Sequence, residues 1–280
     1  MSAGRSLLPK WWPGEATFAV ALSFDLDHET PWENRGIISP QLLSAAEYGT
    51  RRGLPRILKV LGDEGVSASF FVPAMAMKRY PDEILELIAR GHEVALHGLG
   101  HERPWTMSES KERADFYEAC EIFESVTGFR PRGFRAPSFD PSPVTLSLLE
   151  ELEFVYDSSL MSDDDPYELR TNGTPLRVME IPVEWTRDDA TYLLMDRWSP
   201  MRPTLSTSEL VGTWRSDWHR AAAEGGLFQL TLHPDIIGHR SRIEILSALV
   251  SEIRSQGSSW FATHEAVALH CNEKGPNGTA

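Results

Sequence analysis

The sequence predicts an α/β protein built as a closed or nearly closed parallel barrel. Three observations carry that expectation. Strand-like and helix-like runs alternate along most of the 280 residues, in seven or eight units. The strand-like runs are almost continuously apolar, as parallel strands covered on both faces must be. The chain's unusual polar residues fall at the C-terminal ends of those runs, where a parallel barrel carries its active site.

The elements read in order as follows. "ATFAVALSFDLD" (16–27) is the first strand. "LPRILKVLGDEG" has helical spacing and ends on Gly65. "ASFFVP" (68–73) is the second strand. In "PDEILELIARG", Pro81 suits a first helical turn and Gly91 a C-terminal stop. "EVALH" (93–97) is the third strand. In the helix that follows, Thr106 and Glu109 fit a capping box and Gly128 a stop. "GFRAP" (133–137) is a short fourth strand. The helix "SPVTLSLLEELEF" leads into "FVYDSSL", and "RVMEIPVEW" is a further strand. The stretch 190–206 reads as a long loop. The helix "TSELVGTWRSDWHRAAAEGG", the strand "LFQLTLHP" (227–234) and a last helix, strand and helical turn complete the chain. No linker or repeat divides it. The expected organisation is an N-terminal extension (1–15), one barrel domain (16–270) and a polar tail (271–280).

A formal net charge of −14 argues against non-specific nucleic-acid binding and against docking on anionic membranes. No run approaches the roughly 20 apolar residues of a membrane span. The first residues lack a signal-peptide core, and two distant cysteines, Cys120 and Cys271, give no disulfide framework. These features point to a cytoplasmic protein.

Asp25 and Asp27 close the first strand. Because side chains alternate with period two, they share one face, opposite Phe24 and Leu26. Two unpaired carboxylates on one face would repel, and a cation relieves that for one of them. His97 and His101, in "HGLGH", supply two imidazoles, and Gly98 and Gly100 make a helix there unfavourable. Two imidazoles and one carboxylate are the ligand count of a catalytic zinc site, leaving the other aspartate as a general base. Arg135 and His233 close two further strands. A lone H-x-x-x-H or D-x-D is weak evidence, and Arg135 alone could be a buried salt bridge. The coincidence of all of them at strand ends is the strong signal. His28 and His92 read as structural neighbours. His219, His239, His264 and His270 read as surface residues.

In this order, "SFDLD", "HGLGH", "RAP" and "LTLH" resemble the polysaccharide deacetylase, or NodB-homology, family. The resemblance implies a distorted (β/α) barrel that hydrolyses non-peptide amide C–N bonds with one divalent metal, expected to be zinc. It implies Asp25 as base, Asp27, His97 and His101 as metal ligands, Arg135 orienting the base, and His233 as general acid. Most family members have adjacent aspartates followed by glycine. Here D-x-D is followed by His28 and Glu29. "DLDHE", "HGLGHERP" and "IPVEWTRDDATYLL" are similar to the branch that holds peptidoglycan deacetylase-like, cyclic imidase-like and allantoinase-like proteins. That branch implies a cytoplasmic homo-oligomer, often a tetramer, and an acidic residue beside the catalytic histidine, either Asp188 or Asp189. Glu29 and Trp185 are expected at or beside the substrate. Trp185, Met195, Trp198 and Met201 could roof a pocket for a small ligand, or simply pack. The expected substrate is a small cyclic imide or amide. An N-acetylated sugar is the alternative, and a catalytically inactive binding module on the same fold is the alternative of another class. A purely structural oligomer is the weakest reading.

Overall fold

The computed structural model describes residues 2–9, 11–195 and 205–274. Among the described residues, ten strands form one sheet: β1 (Ser2–Ser6), β2 (Phe18–Asp25), β3 (Ser69–Val72), β4 (Glu93–Leu96), β5 (Gly133–Phe134), β6 (Tyr156–Asp157), β7 (Tyr167–Thr171), β8 (Thr174–Glu180), β9 (Leu227–Leu232) and β10 (Ser259–Phe261). The parallel run is β8-β6-β5-β4-β3-β2. β2 is the hub. One side pairs with β9, and the other is shared by β10 at its start and β3 at its end. The segment after β8 curls back until Asp188 forms a parallel bridge with Thr231 of β9. The sheet therefore comes round to within one bridge of closure, the nearly closed barrel that the alternation predicts and the distorted one that the resemblance implies.

β2 shows why these residues make this fold. It is buried along its whole length. Phe18, Val20, Leu22 and Phe24 join the core shared with the surrounding helices, whereas Ala19 and Ala21 join the barrel interior. Each large apolar side chain so buried contributes about 1.5–3 kcal/mol. On the interior face, small residues leave room for Ser23 and Asp25 higher up. The lower interior is filled by Trp12 and by Val267, Ala268 and Cys271 of the helix His264–Lys274.

Several expectations change. Within the N-terminal extension, residues 2–6 pair antiparallel with β7 as an edge strand. The last helix runs to Lys274 with Cys271 buried, so a polar tail cannot begin at 271. Ser108, rather than Thr106, caps the helix Glu109–Thr127, while Thr106 ends a short 3-10 turn. His264 is fully buried, its Nδ1 3.0 Å from Ser69 Oγ, and burial pushes its pKa well down. In the expected long loop, Asp189–Leu193 is helical. Trp198 and Met201 lie outside the described residues.

The stretch between β2 and the helix Leu54–Glu64 forms the upper wall on one side. It holds the short helix Thr30–Asn34, the helix Pro40–Tyr48 and a π-helical turn, Gly49–Gly53. That turn lies against the backbone of 234–238. A methyl group on Gly53 would overlap the Pro234 carbonyl, so only glycine permits the approach.

Candidate active site

Asp25 is the last residue of β2, and His97, Arg135 and His233 each lie one residue beyond a strand end. They converge with Asp27 and His101 at the mouth of the barrel. Asp25, Asp27, His97, His101 and His233 line one cavity of about 360 Å³.

Asp25 is held from below. Arg135 Nη1 donates to Asp25 Oδ1 at 2.6 Å and to Ser23 Oγ at 2.9 Å. Arg135 Nε donates to the Ser158 carbonyl at 3.0 Å and Nη2 to Ser158 Oγ at 2.9 Å. The guanidinium is fully buried and lies 3.9 Å from the Phe71 ring centroid. A buried charge persists only when so paired and hydrogen-bonded. The second Asp25 oxygen is 3.9 Å from His97 Nε2.

Asp27, His97 and His101 could hold a metal ion. His97 Nδ1 is 2.7 Å from the Arg135 carbonyl, which can only accept, so the ring proton is on Nδ1. The lone pair of Nε2 then faces the carboxylates, 3.5 Å from Asp27 Oδ1. The other oxygen, Oδ2, is 3.4 Å from His101 Nε2. The three donor atoms lie within 4.8 Å of one another, and buried Asp27 Oδ1 has no hydrogen-bond partner among the described residues. Such an orphaned oxygen beside a fixed imidazole lone pair fits a divalent cation. Gly98 (φ +75°) and His101 (φ +67°) take left-handed backbone that folds the second imidazole onto the first. Burial works against the charge on Asp27, yet His101 and His97 outweigh it and hold its pKa well below the carboxylate range. Burial pushes His97 down. On His101 burial is opposed and overcome by Asp27, which raises it.

His233 is the opposite case. Its Nδ1 donates to Asp189 Oδ1 at 2.7 Å, and its backbone N–H to Asp189 Oδ2 at 3.1 Å. Asp188 Oδ1 is 3.7 Å away and instead caps the next helix, accepting from the Ala190 N–H at 2.7 Å. The acidic partner is therefore Asp189, although Asp188 also lines the cavity. Burial lowers the His233 pKa, but Asp189 and Asp188 overcome this and raise it well above the usual histidine value. Burial raises Asp188 to about 7. Histidines pushed in opposite directions suit opposite roles: a neutral ligand at 97 and a proton donor at 233.

Asp189→Asn checks this. The acid form of His233 persists until pH rises through its raised pKa. Removing the Asp189 charge lowers that pKa, so the alkaline limb of kcat/KM moves to lower pH. The rate at neutral pH should fall by roughly ten-fold or more. A pH–rate profile measures both.

The structure places the other expected residues as follows. Glu29 does not line the cavity. It accepts from Tyr80 Oη at 2.6 Å and from Arg79 Nη1 at 3.2 Å, bracing the short helix instead. Trp185 lines the cavity, half-exposed, with its ring centroid 5.4 Å from that of Phe139. Met195 is exposed outside the cavity lining. His28 is structural: Nδ1 meets Thr50 Oγ1 at 2.8 Å and Nε2 meets Glu83 at 3.0 Å. The sequence reading passed over Trp32, Arg35, Phe139 and Asp235, all of them lining residues. Burial raises Asp235 to about 6. The Pro at the start of "TPWENR" and the Asp that follows "LTLHP" were the available signals.

The polysaccharide deacetylase family model matches residues 42–156, the stretch that carries His97, His101 and Arg135. A solved polysaccharide deacetylase-type structure from Mycobacterium smegmatis is 32% identical. It superposes with a TM-score of 0.86 over 97% of this chain and 95% of that one. The chain belongs to the polysaccharide deacetylase family. The peptidoglycan deacetylase of Helicobacter pylori is 26% identical over 88% of this chain and 94% of its own. The structure of an allantoinase is 25% identical with a TM-score of 0.85, covering 100% of both chains. As a polysaccharide deacetylase family protein, the chain is a hydrolase of carbon–nitrogen bonds other than peptide bonds.

Proposed function

We propose that this deacetylase-family protein is a metal-dependent hydrolase that opens a small cyclic imide or amide. The observation that carries the reading is the cavity itself. At about 360 Å³ it lies in the range of small-molecule pockets, and Trp32, Phe139, Trp185 and Ile236 wall it. Asp27, His97 and His101 would hold the cation, with two imidazoles and one carboxylate suiting zinc. Such an ion supplies Lewis-acid polarisation of the amide carbonyl and of water.

The chain's own groups do the proton work. Asp25, held by Arg135, accepts a proton from the attacking water. Arg135 aims the carboxylate through its 2.6 Å hydrogen bond. His233, protonated and fixed by Asp189, donates a proton to the departing nitrogen and leaves it as a neutral amine or amide. Trp32, Phe139 and Trp185 limit access of bulk water to the reacting carbonyl.

A second reading has a specific observation behind it. The Helicobacter pylori relative, matched over 94% of its length, is a peptidoglycan deacetylase, which favours an N-acetylated sugar. Ring opening of succinimide, followed beside acetate release from N-acetylglucosamine oligomers, separates the two. Succinimide opening without acetate release is the expected result. Acetate release alone would transfer the function to sugar deacetylation, and turnover of neither would defeat the imide reading.

A further inference from the structure

A second cavity of about 300 Å³ opens beside the first. The two share Arg35, His101 and Ser138, so the annex begins at the edge of the candidate metal site. Its remaining lining is Asn34, Arg103 and Thr106. The chemistry changes across that boundary. Four carboxylates (Asp25, Asp27, Asp188 and Asp235) line the main cavity, and none lines the annex among the described residues. In a chain of net charge −14, a cleft with two arginines and no acid stands apart.

The two arginines differ. Arg103 is already compensated by Asp140, at 2.9 Å. Arg35 makes no ion pair among the described residues, and its guanidinium carbon lies 5.6 Å from the Trp32 ring centroid. The segment that carries both Trp32 and Arg35 is braced. Arg79 binds Glu33 at 2.9 Å and Glu29 at 3.2 Å, Tyr80 binds Glu29, and Asn34 Nδ2 donates to the His101 carbonyl at 3.1 Å. The bracing uses up the nearby acids Glu29 and Glu33 and leaves Arg35 at the cavity. Ser138, which also lines the annex, has φ +59°, an uncommon conformation for a non-glycine residue, and strain of this kind concentrates at binding sites.

We infer that the annex is an anion subsite, in which Arg35 binds the carboxylate of a substrate whose scissile C–N bond lies over Asp27, His97 and His101. The inference rests on the small-amide reading and narrows it to cyclic imides or amides that carry an acidic arm. Arg35 contributes to binding and to selection among substrates, whereas bond cleavage belongs to the groups already described.

Hydantoin and hydantoin-5-acetate test this, since they share one imide-containing ring and differ by the acidic arm. A hydrogen-bonded charge pair should favour the acid by about ten-fold or more in kcat/KM, expressed in KM. Arg35→Gln should bring the ratio of the two kcat/KM values to within about two-fold, and Arg35→Lys should restore part of it. A wild-type protein without preference, or a ratio unmoved in Arg35→Gln, overturns the inference. Calorimetric binding of both compounds separates it from the activity reading. Arg35-dependent binding of hydantoin-5-acetate without turnover would keep the subsite and defeat the proposed activity. Binding that is absent or indifferent to Arg35, with neither compound turned over, would defeat the subsite.

Discussion

Asp25→Asn is expected to lower turnover by about 10³-fold, within the range for removing a general base. The carboxamide has nearly the size of the carboxylate, and its oxygen can still accept from Arg135. It cannot take a proton from water at neutral pH. Asparagine is a better test than alanine. Alanine would leave the fully buried Arg135 guanidinium without its charge partner, a loss of about 3–5 kcal/mol that could unfold the site. The Asp25→Asn variant should lose only part of that, and it should still melt cooperatively. Steady-state rates and a thermal melt, taken together, separate lost chemistry from lost structure. Full activity in Asp25→Asn would remove Asp25 from the mechanism.

His101→Ala is expected to abolish turnover through the metal. Disturbing the residues that merely support a ligand commonly costs 10–100-fold in metal affinity, so losing one of three ligands should weaken it by more than about 100-fold. His101 also occupies left-handed backbone, where alanine is strained by roughly 1–2 kcal/mol. His101→Asn is the control, because asparagine tolerates that conformation and cannot replace the imidazole. Both variants should lose metal, and His101→Asn should keep more of the stability. Competition with a chromophoric chelator measures the affinity directly.

The barrel and its strand-end polar groups were legible because apolar runs of parallel strands stop abruptly. His97, Arg135 and His233 each follow the last buried strand residue directly, so a run ending in a histidine or arginine marks the mouth of the barrel. The choice between Asp188 and Asp189 was not legible. Both are buried, and only the backbone turn at Asp188, which caps the helix Asp189–Leu193, sends one carboxylate to that helix and the other to His233. Glu29, expected at or beside the substrate from the D-x-D-x-E pattern, stands behind the short helix that carries Trp32, and the pattern alone could not say which of the two positions it takes. The helix that starts at Thr30 turns its side chain toward Arg79 and Tyr80.

The wall built from 28–53 was missed for a physical reason. Its helices span five and nine residues and its last turn is π-helical, too short and irregular for a helical period to emerge. The β7–β8 hairpin, by contrast, had a signal that went unread. Asn172-Gly173 between two strand-like runs marks a two-residue turn, and both residues do have positive φ. The N-terminal strand β1 had no such mark, since "SAGRS" is ordered only by pairing with the edge of β7.

We propose that Asp27, His97 and His101 hold one metal ion on which C–N hydrolysis depends. The most direct measurement is a zinc titration of metal-stripped protein, with succinimide opening followed at each addition. The expected result is no turnover without metal, a linear rise that saturates at one equivalent per chain, and no recovery in His101→Asn at the same zinc concentrations. Full succinimide opening by the metal-stripped protein, or a rise that is the same in His101→Asn, would contradict it.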